Sequence, residues 1–149
     1  MNNLTTDALT RARIGRRFYT VSLDQIPDNL SYKLPTKMWC EKARDRCIEG
    51  IGIYYYGAES TGKTSAAIIC SKAAIAQTLT SLYVSGIELR SSVSEKSDFD
   101  GNENLAHRIR HVNLLVVDDP ERGHGNAWHK AVMEDLLAFR MNNNRATII

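Results

Sequence analysis

The residues of this sequence best equipped for chemistry form one continuous run, in which two glycines frame a turn and a lysine and a hydroxyl follow. They are Gly57, Ala58, Glu59, Ser60, Thr61, Gly62, Lys63, Thr64 and Ser65. Glycines at these positions allow a tight turn whose amide hydrogens face inward, which makes a concave anion site at a helix N-terminus. Lys63 can then reach outer phosphate groups, and the Thr64 hydroxyl can ligate Mg2+. The run therefore predicts a phosphate-binding loop.

The neighbouring sequence supports this interpretation. The apolar stretch Ile51–Tyr56 precedes the loop, and an alanine- and isoleucine-rich segment from Lys63 to about Thr78 follows it. In phosphate-binding loops of this type, a strand leads into the loop and a helix follows it, so this context supports the motif. A chance match in a glycine-containing turn is the alternative.

A second motif consists of four apolar residues, Leu114–Val117, followed by Asp118 and Asp119. A buried strand of a parallel sheet ends at the carboxyl edge, where ligands bind in open α/β sheets. Asp118 is thus predicted to associate with Mg2+, and Asp119 to orient or deprotonate the attacking water. Two acids that end a strand for solubility are the alternative. The 55 residues from Lys63 to Asp118 (118 − 63) leave room for a helix, a strand and a crossover, so both motifs together favour nucleoside triphosphate binding.

The elements that must position these residues alternate between strand and helix, which predicts a three-layer α/β fold with a parallel sheet. Residues 1–12 are polar and expected to be frayed, and 13–149 form one nucleotide-binding domain. Loops are expected at Ser94–Asn104 and Pro120–Asn126. The predicted helices are Thr36–Glu49, capped by Thr36, then Lys63–Thr78, Ile87–Val93, Leu105–Arg110 and Ala127–Met141; the predicted strands are Ile53–Tyr56, Leu82–Val84, Val112–Val117 and Ala146–Ile149.

The amino-acid composition restricts the classes to which this protein can belong. The 149 residues are 43% hydrophobic and 24% charged, which suits one folded domain, and no apolar run approaches the ~20 residues of a membrane span. Three cysteines without a C-x-x-C pair favour reduced thiols, and four histidines lack zinc-ligand spacing. We therefore expect a soluble cytoplasmic protein.

Charge gives no clear partner. A net charge of +2 is too small to indicate nucleic acid. The local basic runs leave two explanations open, phosphate contact or a solvated face. These runs contain Arg11, Arg13, Arg16 and Arg17, then Arg108 and Arg110 beside His107 and His111.

On the loop and the two acids, the sequence resembles the helicase-loader group of AAA+ ATPases, the DnaC/DnaI type, and its relative, the IstB transposition helper. Three weaker segments add to the resemblance: a basic lead-in at residues 13–24, the stretch Val84–Leu89, and the stretch from Trp128 through Met141 to Ile149. The resemblance implies an AAA+ P-loop fold that binds ATP and Mg2+, a role in DNA replication, and a replicative helicase as partner. Single-stranded DNA and self-association are further implied contacts.

The sequence also departs from this group. The family's final strand, its arginine finger and its helical lid would lie beyond Ile149, so we expect an incomplete domain with weak ATP hydrolysis and an unpaired edge on the Ile51–Tyr56 strand. An adaptor or inhibitor that docks through this edge is the main alternative function. A transposition-helper ATPase, a small-molecule kinase and a viral hexameric helicase are others.

Several further residues have two interpretations. Phe18, Tyr19 and Val21 either line an adenine pocket or pack in the core. Arg140 and Arg145 either face a neighbouring subunit's nucleotide or lie on the surface at a helix end. Three consecutive tyrosines, 54 to 56, are expected in the core and sheet.

Overall fold

The computed structural model describes residues 4–94, 105–121 and 127–149. The loops predicted at Ser94–Asn104 and Pro120–Asn126 fall almost entirely outside these residues. Two short 3-10 helices, Arg16–Phe18 and Leu23–Gln25, connect the first helix to the second. The main elements in chain order are α1 (Thr6–Arg11), α2 (Lys33–Glu41), α3 (Ala43–Glu49), α4 (Lys63–Ala76), β1 (Ser81–Ser85), α5 (Gly86–Ser94), α6 (Leu105–His111), β2 (Leu114–Asp118), α7 (Ala127–Asn142) and β3 (Ala146–Ile148).

The sheet is parallel, with β2 between β1 and β3. The segment before the loop extends this sheet beyond β3, because Ile53 pairs with Ile148 as an isolated parallel bridge. The Tyr55 amide donates to the Ile149 carbonyl at 2.7 Å, and the Ile149 amide donates to the Ile53 carbonyl at 3.0 Å. The predicted strand over Ile53–Tyr56 is therefore reduced to a short pairing beside β3.

Helices cover both faces of the sheet because side chains of β2 alternate between two apolar clusters. Leu114 and Val116 pack with α2, α3 and α4, whereas Leu115 and Val117 pack with α5, α6 and α7. All four side chains are at most 1% exposed. A strand buried on both faces explains the continuous apolar run in the sequence. The predicted three-layer α/β architecture with a parallel sheet is confirmed.

The amino-terminal segment differs from the sequence prediction. Thr5 caps α1 by accepting a hydrogen bond from the Ala8 amide, and Leu9 is buried. Leu9 packs with Ile14 and with Ile68 of α4 in a third apolar cluster. The expectation that residues 1–12 are frayed is therefore wrong for 5–12, because Leu9 on this short helix packs against α4.

The predicted helix Thr36–Glu49 is two helices, α2 and α3, separated at Lys42. Thr36 is not a cap. It lies inside α2, fully buried, where its hydroxyl donates to the Tyr32 carbonyl at 2.7 Å and contacts the Tyr55 hydroxyl at 2.7 Å. Pro35 is accommodated in the first turn of α2, where a missing amide hydrogen costs no intrahelical bond.

Of the three consecutive tyrosines, only Tyr55 is in the core, 8% exposed. Tyr54 and Tyr56 are 65% and 83% exposed, and their rings stack on each other with centroids 6.2 Å apart. Alternation along an extended segment sends them to the opposite face from Tyr55. The prediction of core positions is wrong for these two residues.

Candidate functional site: a phosphate-binding loop and a strand-end carboxylate

The loop between residue 56 and α4 is built on glycine backbone conformations. Gly57 has φ of +129° and Gly62 has φ of +91°, values that residues with side chains rarely adopt. A side-chain carbon built on Gly57 would have no other heavy atom within 4 Å, so this part of the backbone faces open space. The two glycines that frame the sequence pattern thus shape an open turn directly before the helix.

The N-terminus of α4 supplies amide donors to this turn. The Ala66 amide makes the first intrahelical hydrogen bond, to the Gly62 carbonyl at 3.0 Å. Among the described residues, the amides of Lys63, Thr64 and Ser65 have no backbone or side-chain acceptor. Helix N-termini with free amides favour negative charge, so this donor set fits a phosphate group.

Lys63 folds back over the loop. Its Nζ donates to the Gly57 carbonyl at 2.9 Å and to the Ala58 carbonyl at 2.5 Å. The Thr61 hydroxyl also donates to the Ala58 carbonyl, at 3.0 Å. The ammonium group therefore lies within the loop, where it adds positive charge beside the free amides.

Asp118 lies against this loop, as the second motif predicts. It ends β2, and its Oδ1 accepts a hydrogen bond of 2.8 Å from the Thr64 hydroxyl. A hydroxyl and a carboxylate are hard oxygen ligands of the kind that Mg2+ takes in nucleotide sites. The two predicted metal-associated residues, which lie 54 positions apart in the sequence, are thus in direct contact.

Tyr83 completes the surroundings of Asp118 and was not predicted from the sequence. Its hydroxyl donates to Asp118 Oδ2 at 2.6 Å. Burial, reinforced by the Asp118 carboxylate, raises the pKa of Tyr83 well above its ordinary value, so the phenol stays protonated. Tyr83 lies on β1, two residues before the partner of Asp118 in the strand register, and no sequence pattern marks that proximity.

Asp119 follows β2 with φ of +46°, in the left-handed region, and its side chain is exposed. Non-glycine residues in this region are uncommon, although aspartate is among those that tolerate it. The turn separates the exposed Asp119 from the half-buried Asp118. The two consecutive carboxylates therefore occupy different environments at the same edge of the sheet.

A small cleft of about 110 Å3 adjoins the loop. Val21 lines this cleft, which is the position expected if it lined an adenine pocket. Phe18 and Tyr19 instead pack against the apolar cluster around Leu9. Tyr32 was not predicted; its hydroxyl donates to the Thr61 carbonyl in the loop. The cleft is lined by Val21, Ser22, Gln25, Ile26, Pro27, Tyr32, Thr61, Gly62 and Ser65.

Lys72 holds the lead-in segment against α4. Its Nζ donates to the Tyr19 carbonyl at 2.8 Å and to the Val21 carbonyl at 2.6 Å. Burial lowers the pKa of this ammonium group. The wall of the cleft is therefore attached to the same helix whose N-terminus forms the loop.

Arg140 has neither of the two positions expected from the sequence. It is 0% exposed and donates to the carbonyls of Ile109 (2.8 Å), Val112 (3.1 Å) and Ala146 (2.7 Å) and to the Thr147 hydroxyl (2.9 Å). Burial lowers its pKa to about 10, so it remains charged at neutral pH. It joins α6, β3 and the end of α7 and cannot reach another subunit.

The basic runs are largely paired within the chain. Arg11 contacts Asp7 at 2.6 Å, Arg13 contacts Glu88 at 2.5 Å, and Arg110 contacts Asp135 at 2.9 Å. Arg108 donates to the Arg11 carbonyl at 2.6 Å and borders a cleft of about 770 Å3 near the amino end of β1. Because ligands bind at the carboxyl ends of parallel strands, we place the site at the smaller cleft.

The described residues contain no group of three or more His, Cys, Asp or Glu side chains that could hold a metal ion. Within the same residues, no helix has the length and apolarity that crossing a membrane requires.

The parallel sheet, the loop at a helix N-terminus and the acid at the end of β2 define a P-loop NTPase fold. Among solved structures, the crystal structure of the DnaC helicase loader is similar, with a TM-score of 0.74 and 22% sequence identity over 91% of this chain and 78% of that chain. No protein-family model matches the sequence, and the curated proteins give no significant match. The likeness concerns the fold, which is DnaC-like.

Proposed function

We propose that this chain is an ATP-binding AAA+ domain of helicase-loader type that acts in DNA replication. The observation that carries the proposal is the contact between Thr64 and Asp118, 2.8 Å at the mouth of the loop. It brings a hydroxyl from the loop and a carboxylate from β2 to one point, beside the free amides of α4 and the ammonium group of Lys63. A triphosphate with its metal needs this combination of donors and acceptors.

Each residue has a distinct role in this proposal. The amides of the loop residues 57–65 and Lys63 hold phosphate oxygens, and Thr64 and Asp118 hold Mg2+. When bound, Mg2+ neutralises charge on the phosphate oxygens. Asp119, exposed beside Asp118, positions the water that attacks the terminal phosphate. Tyr83 fixes the orientation of Asp118.

We expect ATP hydrolysis by this chain alone to be slow. An arginine directed at the terminal phosphate can be worth ~10³–10⁵ in rate in related reactions. Arg140 is excluded from that role by its burial. ATP binding, more than turnover, is therefore the activity to test first.

The fold of the DnaC helicase loader supports a replicative helicase as the partner. Contacts with single-stranded DNA and self-association belong to the same proposal, as does a cytoplasmic location. The pairing of Arg11, Arg13 and Arg110 within the chain reduces the basic surface that such DNA contact would use.

Binding of a fluorescent ATP analogue in magnesium buffer tests the proposal. Lys63→Ala should weaken binding at least tenfold, whereas Lys37→Ala, an exposed lysine on α2, should not change it. Thr64→Ala should lose the difference in affinity between magnesium and EDTA, and Thr64→Ser should keep it. Undiminished affinity in Lys63→Ala, or no binding by the folded wild-type protein, would refute the proposal.

One observation favours a second function, a nucleotide-dependent adaptor. Among the described residues, no strand pairs with the outer edge of residues 51–56, and the side chains of Tyr54 and Tyr56 on one face of this segment are exposed. Unpaired strand edges are templates for strand addition. Capture of a helicase in the presence of ATP that is unaffected by Asp119→Asn but lost in Tyr54→Ser would favour the adaptor over the ATPase.

A further inference from the structure

Two cysteines on different helices lie side by side in the core between α2 and α4. Cys40 Sγ on α2 is 3.8 Å from Cys70 Sγ on α4. Cys70 is fully buried, whereas Cys40 is half-buried and thus the thiol that a small reagent can reach. The third cysteine, Cys47 on α3, is also buried. A disulfide brings its sulfurs to about 2.05 Å, so side-chain rotation and a small helix shift would join Cys40 to Cys70.

The two thiols are not equivalent chemically. A hydrogen bond from Cys70 lowers the pKa of Cys40, against opposing contributions from burial and from Glu41. Burial raises the pKa of Cys70. Because the thiolate is the nucleophile in disulfide exchange, Cys40 is suited to react first and Cys70 to react second.

The helix that carries Cys40 also contacts the loop. Tyr32, immediately before α2, donates its hydroxyl hydrogen to the Thr61 carbonyl. Tyr55, which precedes the loop, places its hydroxyl 3.7 Å from Cys70 Sγ and 2.7 Å from the Thr36 hydroxyl on α2. One helix therefore has the sulfur pair near its end and a loop contact at its start.

We propose that Cys40 and Cys70 are a thiol–disulfide exchange site whose oxidation tethers α2 to α4 and slows nucleotide release from the loop. The oxidant is a small-molecule disulfide. The Cys40 thiolate attacks one of its sulfurs, which forms a mixed disulfide and releases one thiolate. Cys70 then gives its proton to the released thiolate and attacks Cys40 Sγ, which closes the protein disulfide and releases the second thiolate, so two electrons pass from the protein to the reagent.

The slower release follows from the two ends of α2. A bond from Cys40 to Cys70 restricts movement of α2 away from α4, and Tyr32 then stays against Thr61 and the cleft beside the loop. Disulfides inside cytosolic proteins are usually transient and regulatory, which fits one that forms from free thiols at a half-buried position. This part of the inference rests on the proposed nucleotide binding, and the formation of the disulfide does not.

Treatment of the full chain with oxidised glutathione tests both parts. Intact mass should fall by two hydrogens, peptide mapping should identify a Cys40–Cys70 link with Cys47 free, and the melting temperature should rise by several degrees and return with dithiothreitol. The dissociation rate of a fluorescent ATP analogue should fall severalfold in the oxidised protein. Cys47→Ala should behave like the wild type, and Cys40→Ser should respond in none of these measurements.

The outcomes separate the two proposals. A stable glutathione adduct on Cys40, or a link that includes Cys47, would overturn the exchange site. A Cys40–Cys70 link with an unchanged dissociation rate would overturn its effect on the loop. Failure of the reduced protein to bind nucleotide would instead refute the proposed function and leave the disulfide standing. Because oxidation and reduction are applied to one wild-type sample, the test does not depend on the folding of the variants.

Discussion

Tyr83 donates its hydroxyl hydrogen to Asp118 Oδ2 at 2.6 Å, on the carboxylate oxygen that Thr64 does not contact. Both oxygens of the strand-end acid are thereby held by neutral hydroxyl donors, one from the loop helix and one from β1. Asp118 is therefore fixed in orientation before any ligand binds, which is the arrangement that second-layer contacts give to metal-binding carboxylates.

Tyr83→Phe removes this hydroxyl and should weaken magnesium-dependent nucleotide binding by about tenfold to a hundredfold, because a hydrogen bond to a charged group is worth roughly 1.5–3 kcal/mol. Titration of a fluorescent ATP analogue in magnesium and in EDTA measures the effect. The loss should be confined to magnesium buffer. Equal affinity of variant and wild type in both buffers would show that Tyr83 does not position Asp118.

Arg140→Met should destabilise the fold by about 3 kcal/mol or more, because several buried carbonyls lose their donor at once. Urea unfolding followed by circular dichroism measures the change. Arg145→Met is the matched control on a half-buried arginine and should change the free energy of unfolding much less. Equal effects of the two substitutions would contradict the buried network.

Gly52→Ala should cost about 3 kcal/mol, because an added side-chain carbon would lie 1.6 Å from the Thr147 carbonyl oxygen. The backbone must separate there, which also weakens the pairing of Ile53 with Ile148. Gly15→Ala, whose added carbon would meet only Phe18 Cδ2 at 3.8 Å, should be nearly neutral. Thermal melts of both variants check this, and a wild-type melting temperature for Gly52→Ala would contradict the close approach.

Glu88 should contribute stability that depends on pH. Burial raises the pKa of its carboxyl, but hydrogen bonds from the Ser85 amide and hydroxyl and the ion pair with Arg13 outweigh burial, so the pKa lies below its ordinary value of 4.5. The folded pKa is below the unfolded one. The stabilisation is therefore fully present above pH 4.5 and is lost as the pH falls through the folded value.

The measurement is urea unfolding of Glu88→Gln and wild type over a series of pH values. The difference in unfolding free energy should be largest at neutral pH and shrink as the solution is acidified below the ordinary carboxyl pKa. Glu49→Gln, on an exposed glutamate, serves as control. A difference that stays constant with pH would assign the effect of Glu88→Gln to lost packing.

The loop and Asp118 could be predicted because their signals are local. The glycine spacing indicates a tight turn before a helix, and the apolar run before Asp118 indicates a buried strand. Both motifs therefore predict structure from a few adjacent residues. Tyr83 and Tyr32 could not be predicted, since their contacts depend on strand register and on the packing of α2 against α4.

The wrong predictions for Arg140 and Leu9 also arise from contacts between segments that are distant in the sequence. Arg140 has the helix-end position of a surface cation, but a carbonyl-lined space between α6 and β3 buries it. Leu9 stands in a polar segment, yet it packs with Ile14 and Ile68 in an apolar cluster that holds α1 against α4. Such outcomes are decided by long-range packing, on which the hydrophobic pattern of a single segment carries no information.

The short strand β3 lies between β2 and the segment that enters the loop. Three residues that belong to neither motif, Ala146–Ile148, therefore separate the strand that carries Asp118 from the segment that leads to Lys63. A substitution that shifts this strand by one position would move Asp118 away from Thr64 and the loop while leaving the side chains of both motifs unchanged. Such a change would act at a distance, by misaligning two otherwise normal halves of the fold.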